Sequence, residues 1–134
     1  MLQKEIFARG LQLINAILSK NSQIAITSTI DSYYLLLNDL PNSYFLAGVK
    51  ALMKEWKNPH FIPGPGEIRA AVENEMFGGL TKDEFILIAR TYSITKQELS
   101  DPVINKLLKN IDLVALTTNC EIVVLEENTN IQLN

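Results

Sequence analysis

Apolar residues recur at the spacing of an α-helix along most of the chain. Such a spacing places them on one face, where they can be buried together. Prolines, glycines and polar capping residues divide the pattern into short segments. We therefore predict a mainly α fold, a compact helical bundle of five to six short helices. The stripes predicted to face the core are Phe7, Leu11, Ile14 and Leu18, flanked by Leu2, Ile6, Leu13 and Ile17; Ile30, Tyr34 and Leu37, with Tyr33 and Leu40; Phe45, Val49, Leu52 and Trp56; Ile68, Ala71, Val72 and Met76; Phe85, Ile88, Ala89 and Tyr92; and Ile104, Leu107, Leu108 and Ile111.

Helix boundaries in the first half are marked by capping residues and by proline. Ser28 or Thr29 can cap the second helix with a side-chain oxygen. Pro41 suits the first turn of the third helix, because the missing N–H of proline is not needed there. Gly10 and Gly48 interrupt apolar stripes, which predicts that a neighbouring helix passes close to each of them.

Capping signals are stronger in the second half. Thr81 to Glu84 is a capping box. Thr95 to Glu98 repeats the same pattern, which predicts that a short turn begins at Thr95. Ser100 to Pro102 then begins another helix. Leu113 to Leu116 and Glu121 to Leu125 are short β-prone runs that allow a small C-terminal hairpin.

The domain prediction is a single helical domain over residues 1–134. Its core module covers about residues 2–76, and its second helical part covers about residues 80–111. The C-terminal segment, 112–134, ends in a polar tail from Glu126 onward.

Composition and charge fit an ordinary globular protein. Of 134 residues, 47% are hydrophobic and 20% are charged, and no apolar run is long enough for a membrane span. No signal peptide is recognised, so a cytoplasmic protein with no membrane association is expected. The net charge of −3 argues against a protein that simply coats nucleic acid. Residues 1–66 hold 6 Lys/Arg against 4 Asp/Glu, whereas residues 67–134 hold 6 against 11.

Catalytic and metal chemistry find little support in the residue types. His60 is the single histidine and Cys120 the single cysteine, so a nucleophilic triad has no second histidine to choose from and a metal site has few nitrogen or sulfur ligands. Packing or hydrogen bonding in the loop is the simpler interpretation of His60. Cys120 is interpreted as a small apolar residue. Gly64-Pro65-Gly66 lacks the lysine and the spacing of a phosphate loop. We expect no enzymatic activity, no cofactor and no metal.

Lysines on the third helix are the main electrostatic candidate. Lys50, Lys54 and Lys57 follow the spacing i, i+4, i+7 opposite the apolar stripe, and His60 and Arg69 can extend the set. A solvated helix face is the simple interpretation of this pattern. The functional interpretation is contact with DNA phosphates or with an acidic partner.

An aromatic and proline-rich loop, Asn58 to Gly66, follows those lysines. Its three prolines restrict the backbone and predict a fixed path. Most aromatic residues near it are expected in the core. An aromatic side chain such as Phe61, if exposed on this loop, would be a candidate anchor for a partner.

Four features occur in a fixed order within Thr29 to Arg69. They are a tyrosine-bearing helix that ends in a Leu-Pro step (Tyr33-Tyr34 to Leu40-Pro41), a helix with an aromatic residue and a small-Val pair (Phe45, Gly48-Val49), a Phe-x-Pro loop (Phe61-Ile62-Pro63) and a Gly-Glu-Ile helix start (Gly66-Glu67-Ile68). In these features the chain resembles the N-terminal helical module of phage and prophage replisome organisers and helicase loaders. The resemblance covers about 40 of the 134 residues.

The resemblance implies a non-enzymatic DNA-replication accessory protein, an adaptor or loader that binds a DnaB-type replicative helicase. An initiator protein or single-stranded DNA are further contacts that it implies. One feature departs from the small loaders: residues 80–111 are well capped where those proteins often carry a flexible tail. No Walker motif is present, which excludes loaders of the ATPase type. Two alternatives stay open, a small DNA-binding regulator that uses the lysines and a homodimeric scaffold module.

Overall fold

The chain folds into α-helices joined by short loops. The structure is a computed structural model that describes residues 1–119 and 121–125. Within these ranges no β-strand is present, apart from an isolated antiparallel bridge between Ile111 and Val124. The mainly α prediction is therefore confirmed. The helices are α1 (Lys4–Ile17), α2 (Thr27–Leu37), α3 (Asn42–Lys54), α4 (Pro65–Met76), α5 (Lys82–Thr95), α6 (Pro102–Lys109) and α7 (Leu113–Asn119), with a 3-10 turn at Lys20–Ser22.

Two compact units divide the described residues, 1–73 and 74–125. The first contains α1 to α3 and most of α4. The second contains α5 to α7. None of the helices in the described ranges has both the length and the apolar character that a membrane crossing requires.

In the first unit α1 packs against α3 through a glycine. A methyl group on Gly10 would collide with the ring of Phe45, which is fully buried. The predicted close approach at Gly10 is thus observed. Leu13 and Ile17 of α1 lie beside residues 50–54 of α3. Contacts advance toward the C-terminus on both helices, so α1 and α3 run parallel.

Gly48 provides the second close approach, between α3 and α4. A Cβ atom there would lie 2.6 Å from the Cα of Val72, closer than non-bonded carbon atoms can approach. Val72 and Ile68 are fully buried, which confirms the centre of the predicted α4 stripe. The apolar side chains of α3 and α4 pack because Gly48 lets their backbones meet.

Helix ends in the first unit differ from the prediction in three places, and one of them is Pro41, which stands at the N-cap position before α3 and not in its first turn. Helix α2 begins at Thr27 after Ile26, whose position carries no side-chain cap, so the predicted cap at Ser28 or Thr29 is wrong. Helix α3 ends at Lys54, so Trp56 lies beyond the helix and does not extend its apolar stripe as predicted. Met53, which is on α3, is buried instead. Helix α4 begins at Pro65, where the missing N–H of proline is not needed.

In the second unit the first capping box is confirmed. The Thr81 hydroxyl accepts from the backbone N–H of Glu84, and the Glu84 carboxylate accepts from the backbone N–H of Thr81. The repeated box at Thr95 to Glu98 is wrong, because α5 continues through Thr95 and ends at Lys96 in the left-handed conformation. Asp101 caps α6 as predicted, and the four predicted core residues of this stretch are buried: Ile104, Leu107, Leu108 and Ile111.

The predicted hairpin is not formed in the described residues. Its first run, Leu113 to Leu116, belongs to α7. The carboxylate of Asp112 accepts from the backbone N–H groups of Val114 and Ala115, both at 3.0 Å, and so caps this helix. Cys120 and the tail from Glu126 onward lie outside the described residues.

Candidate partner-binding surface

The loop Asn58 to Gly66, here called the strap, is tied to three neighbouring segments of the first unit. The carbonyl oxygen of Pro59 accepts from the backbone N–H of Ser19 at 2.8 Å, just after α1. The phenol of Tyr33 in α2 donates to the carbonyl oxygen of Pro63 at 3.0 Å. After α3, the indole N–H of Trp56 donates to the carbonyl oxygen of Phe61 at 3.0 Å. Backbone atoms at three points of the strap are thus fixed from outside it.

Local bonds support the same path. The backbone N–H of His60 donates to the Asn58 side chain at 3.0 Å, which closes a tight turn. At the other end the backbone N–H of Gly64 donates to the Glu67 carboxylate at 3.1 Å, the arrangement of a helix cap before α4. Pro63 between them is buried. Hydrogen bonds from neighbouring segments and within the strap therefore both hold its backbone in the fixed path that the prolines predict.

Phe61 points outward from this tied backbone. Its side chain is 66% exposed, although its carbonyl oxygen is held by Trp56. Aromatic side chains contribute strongly to binding when a partner buries them. Phe61 is thus an exposed aromatic side chain on this loop, which is the condition under which the sequence makes it a candidate anchor.

His60, which precedes Phe61 in the strap, is within hydrogen-bonding distance of Ser19. It is exposed, and its Nδ1 lies 3.3 Å from the Ser19 hydroxyl, which also donates to Ser22. The hydrogen-bonding interpretation of His60 fits this geometry. In the described ranges no group of three or more His, Cys, Asp or Glu side chains is placed to hold a metal ion.

The predicted lysines do not form one helical row. Lys50 and Lys54 are exposed on α3, whereas Lys57 is exposed beyond the end of that helix. Only Lys50 and Lys54 therefore share a helix at the predicted spacing. The ion pairs of the described ranges are Arg69–Asp39 and Lys109–Glu98, so these three lysines take part in neither.

Arg69 is engaged within the first unit and does not extend the lysine set. Its guanidinium donates to both oxygens of the Asp39 carboxylate, at 2.5 and 3.1 Å. It also donates to the backbone carbonyl of Leu36 at 2.7 Å. The hydrogen bonds from Arg69 lower the pKa of Asp39, against a smaller opposing effect of burial. Arg69 thus links α4 to the C-terminal end of α2 through hydrogen bonds.

A groove between α1 and α3 was not predicted from the sequence. Its volume is about 220 Å³, and its lining is almost wholly apolar apart from two lysines. Ile17 is 46% exposed at its edge. The unusual width of the α1 stripe was the available signal, since one packing face does not need residues on both flanks. The lining residues are Leu13, Ala16, Ile17, Lys50, Met53 and Lys54.

A second apolar depression lies between α1 and α2. It has a volume of about 400 Å³ and includes Phe7, Ile30 and Tyr34. Leu35 at its border is 73% exposed. Helix α2 thus presents apolar surface to solvent, which the predicted stripe through Tyr34 and Leu37 did not reveal.

Comparison of the chain with protein-family models, with curated proteins and with solved structures finds no match.

Proposed function

We propose that this chain is a non-enzymatic, cytoplasmic accessory protein of phage or prophage DNA replication, an adaptor or loader that binds a DnaB-type replicative helicase. The observation that carries the proposal is the exposure of Phe61 on a strap held at three points. The choice of partner rests on the resemblance of the stretch Thr29 to Arg69 to replisome organisers and helicase loaders.

A tied strap suits protein binding for an energetic reason. Association costs conformational entropy when a flexible loop must become ordered. The bonds from Ser19, Tyr33 and Trp56 impose that order before a partner arrives. Burial of the Phe61 ring then contributes to affinity with little further loss of freedom.

Binding to the helicase is the direct test. The purified chain is mixed with the DnaB-type helicase of the same host and the mixture is separated by sizing chromatography. We expect the chain to elute with the helicase hexamer, and the variant Phe61→Ser to elute alone at the same concentrations. Failure of the unmodified chain to co-elute at concentrations well above micromolar would reject the proposed partner.

A homodimeric scaffold is the second candidate, and the surface of α2 favours it. Leu35 is 73% exposed beside the apolar depression between α1 and α2, and exposed apolar patches commonly mark protein contacts. Light scattering on the eluted chain gives its mass. A dimer that the substitution Leu35→Glu converts to a monomer would favour this candidate.

Direct DNA binding is the third candidate and has few charges to support it. Arg69 is bonded to Asp39, which leaves Lys50, Lys54 and Lys57 of the predicted set. Phosphate contacts by so few lysines would give weak binding that falls steeply with salt. A salt titration with single-stranded DNA tests this candidate, and absence of binding in dilute buffer would remove it.

A further inference from the structure

The groove between α1 and α3 combines an apolar floor with positive charge at its edge. Leu13, Ala16 and Ile17 line one side at the spacing i, i+3, i+4. On the other side Met53, which is buried, lies between Lys50 and Lys54. Since α1 and α3 run parallel, the two sides form a short channel along the last turn of both helices. Such a channel between two helices is the shape into which a third helix packs.

The charged side chains that line this channel have one sign. Residues 10–17 of α1 contain no ionisable side chain, and α3 contains two lysines and no acidic residue. Lys50 and Lys54 belong to neither of the ion pairs found in the described ranges. A ligand in the channel would therefore meet two exposed ammonium groups and no carboxylate from its walls.

The channel also leads to the strap. Ile17 ends α1 at one end of the channel, and Ser19 follows two residues later. The backbone N–H of Ser19 binds Pro59 of the strap at 2.8 Å, and its hydroxyl lies 3.3 Å from His60. The C-terminal end of the channel therefore lies next to the N-terminal part of the strap.

We infer that the channel binds an acidic amphipathic helix of the partner protein, an inference that rests on the proposed function because it names the element that the partner would supply. Apolar side chains of that helix would contact Leu13, Ala16 and Ile17. Carboxylates beside its apolar stripe would pair with Lys50 and Lys54. Nucleic acid fits this channel less well, because nucleic-acid bases stack on aromatic side chains and the residues that line the channel include none.

Fluorescence anisotropy with labelled synthetic peptides tests this inference without a known partner. The probe is a helical peptide of about 18 residues, with leucines at i, i+3, i+4 and i+7 and glutamates beside them. One comparison peptide carries lysine in place of glutamate, and another keeps the glutamates with serine in place of leucine. We expect only the first peptide to bind, with weakening at higher salt. Equal binding of the lysine peptide, or tighter binding of oligothymidine than of the probe, would overturn the inference.

Variants locate the binding site. The double variant Lys50→Glu/Lys54→Glu and the single variant Ile17→Ser change exposed side chains, so the fold should be kept. Each should weaken peptide binding about tenfold or more. Lys82→Glu/Lys106→Glu gives the same change of net charge in the other unit and should bind as the unmodified chain does. Equal weakening by both double variants would indicate a general charge effect and overturn the inference.

The same variants separate this inference from the proposed function. If the helicase binds the unmodified chain and the Lys50→Glu/Lys54→Glu variant equally well, the channel inference fails and the proposed function stands. If the peptide binds in the channel but the helicase binds no form of the chain, the proposed partner fails and the chemistry of the channel stands.

Discussion

The phenol of Tyr33 donates to the carbonyl oxygen of Pro63 at 3.0 Å, and this bond joins α2 to the strap. Burial raises the pKa of Tyr33, with a smaller contribution from the charge of Glu67. The phenol therefore stays protonated, and able to donate, throughout the neutral range.

Loss of this hydrogen bond should loosen the strap. The substitution Tyr33→Phe removes the donor and keeps the ring, so the free energy of unfolding should fall by about 1 kcal/mol. Trp56, the single tryptophan, is bonded to the strap at Phe61, so acrylamide should quench its fluorescence more readily in the variant. Tyr44→Phe is the matched control and should leave the quenching unchanged. Unchanged quenching in Tyr33→Phe would show that α2 does not restrain the strap.

Phe61 should matter for binding and little for stability. Because its side chain is 66% exposed, Phe61→Ser should change the free energy of unfolding by less than about 0.5 kcal/mol. Affinity for the helicase should fall by about tenfold or more, as expected for an aromatic anchor. Leu87→Ser is matched in exposure, at 67%, and should keep full affinity. Isothermal titration calorimetry measures the affinity of each variant for the helicase. Equal losses in the two variants would contradict a specific role for Phe61.

Gly48 should tolerate no side chain. In Gly48→Ala the new methyl carbon would lie 2.6 Å from the Cα of Val72, so α3 and α4 must separate. We expect the free energy of unfolding to fall by about 1–3 kcal/mol in urea titrations followed by circular dichroism. Gly66→Ala is the control, because nothing lies within 4 Å of its added carbon. That variant should be neutral or more stable by up to about 1 kcal/mol. Destabilisation at Gly66 equal to that at Gly48 would refute the close approach.

Asp39 should contribute to stability in a pH-dependent manner. Hydrogen bonds from Arg69 lower its pKa in the folded chain, so the unfolded chain binds a proton more readily. The contribution is therefore present above the unfolded value of about 3.9 and is lost as the pH falls through the folded value. Because the pair is partly exposed, Asp39→Asn should cost only about 0.5–1 kcal/mol at pH 7.

The pH dependence of that cost is the diagnostic measurement. The difference in unfolding free energy between the unmodified chain and Asp39→Asn should be constant above about pH 5 and should shrink below about pH 4. Asp31→Asn, which lies outside both ion pairs of the described ranges, should not show this loss. A difference for Asp39→Asn that persists undiminished into acid would contradict the role given to the carboxylate.

Local chemistry made several helix boundaries predictable. Thr81 and Asp101 cap their helices through bonds that span three residues or fewer, so the sequence contains all the atoms involved. The repeated box at Thr95 failed because Lys96 takes the left-handed conformation and its N–H binds the carbonyl of Tyr92, ending α5. The strand prediction for the run after Asp112 failed because the Asp112 carboxylate accepts from the backbone N–H groups of Val114 and Ala115 and caps a helix there.

Features of the candidate surface depend on long-range contacts and were harder to predict. The proline content of the strap predicted a fixed path, but not its bonds to Ser19 and Tyr33. The pairing of Arg69 with Asp39 joins residues thirty positions apart, which no local pattern reveals. The channel between α1 and α3 follows from the parallel packing of two helices, so their separate stripes could not show it.

Hydrogen–deuterium exchange of the chain, measured with and without the host's DnaB-type helicase, tests the central claim most directly. A tied strap that serves as the docking surface predicts slow exchange of the amides of Ser19 and Phe61 in the free chain, because they donate to the carbonyl oxygens of Pro59 and Asn58. Addition of helicase should then slow exchange further across the strap and the C-terminal turn of α1, and leave α5 unchanged. Rapid exchange of the strap in the free chain, or protection by helicase confined to residues outside the first unit, would contradict the account.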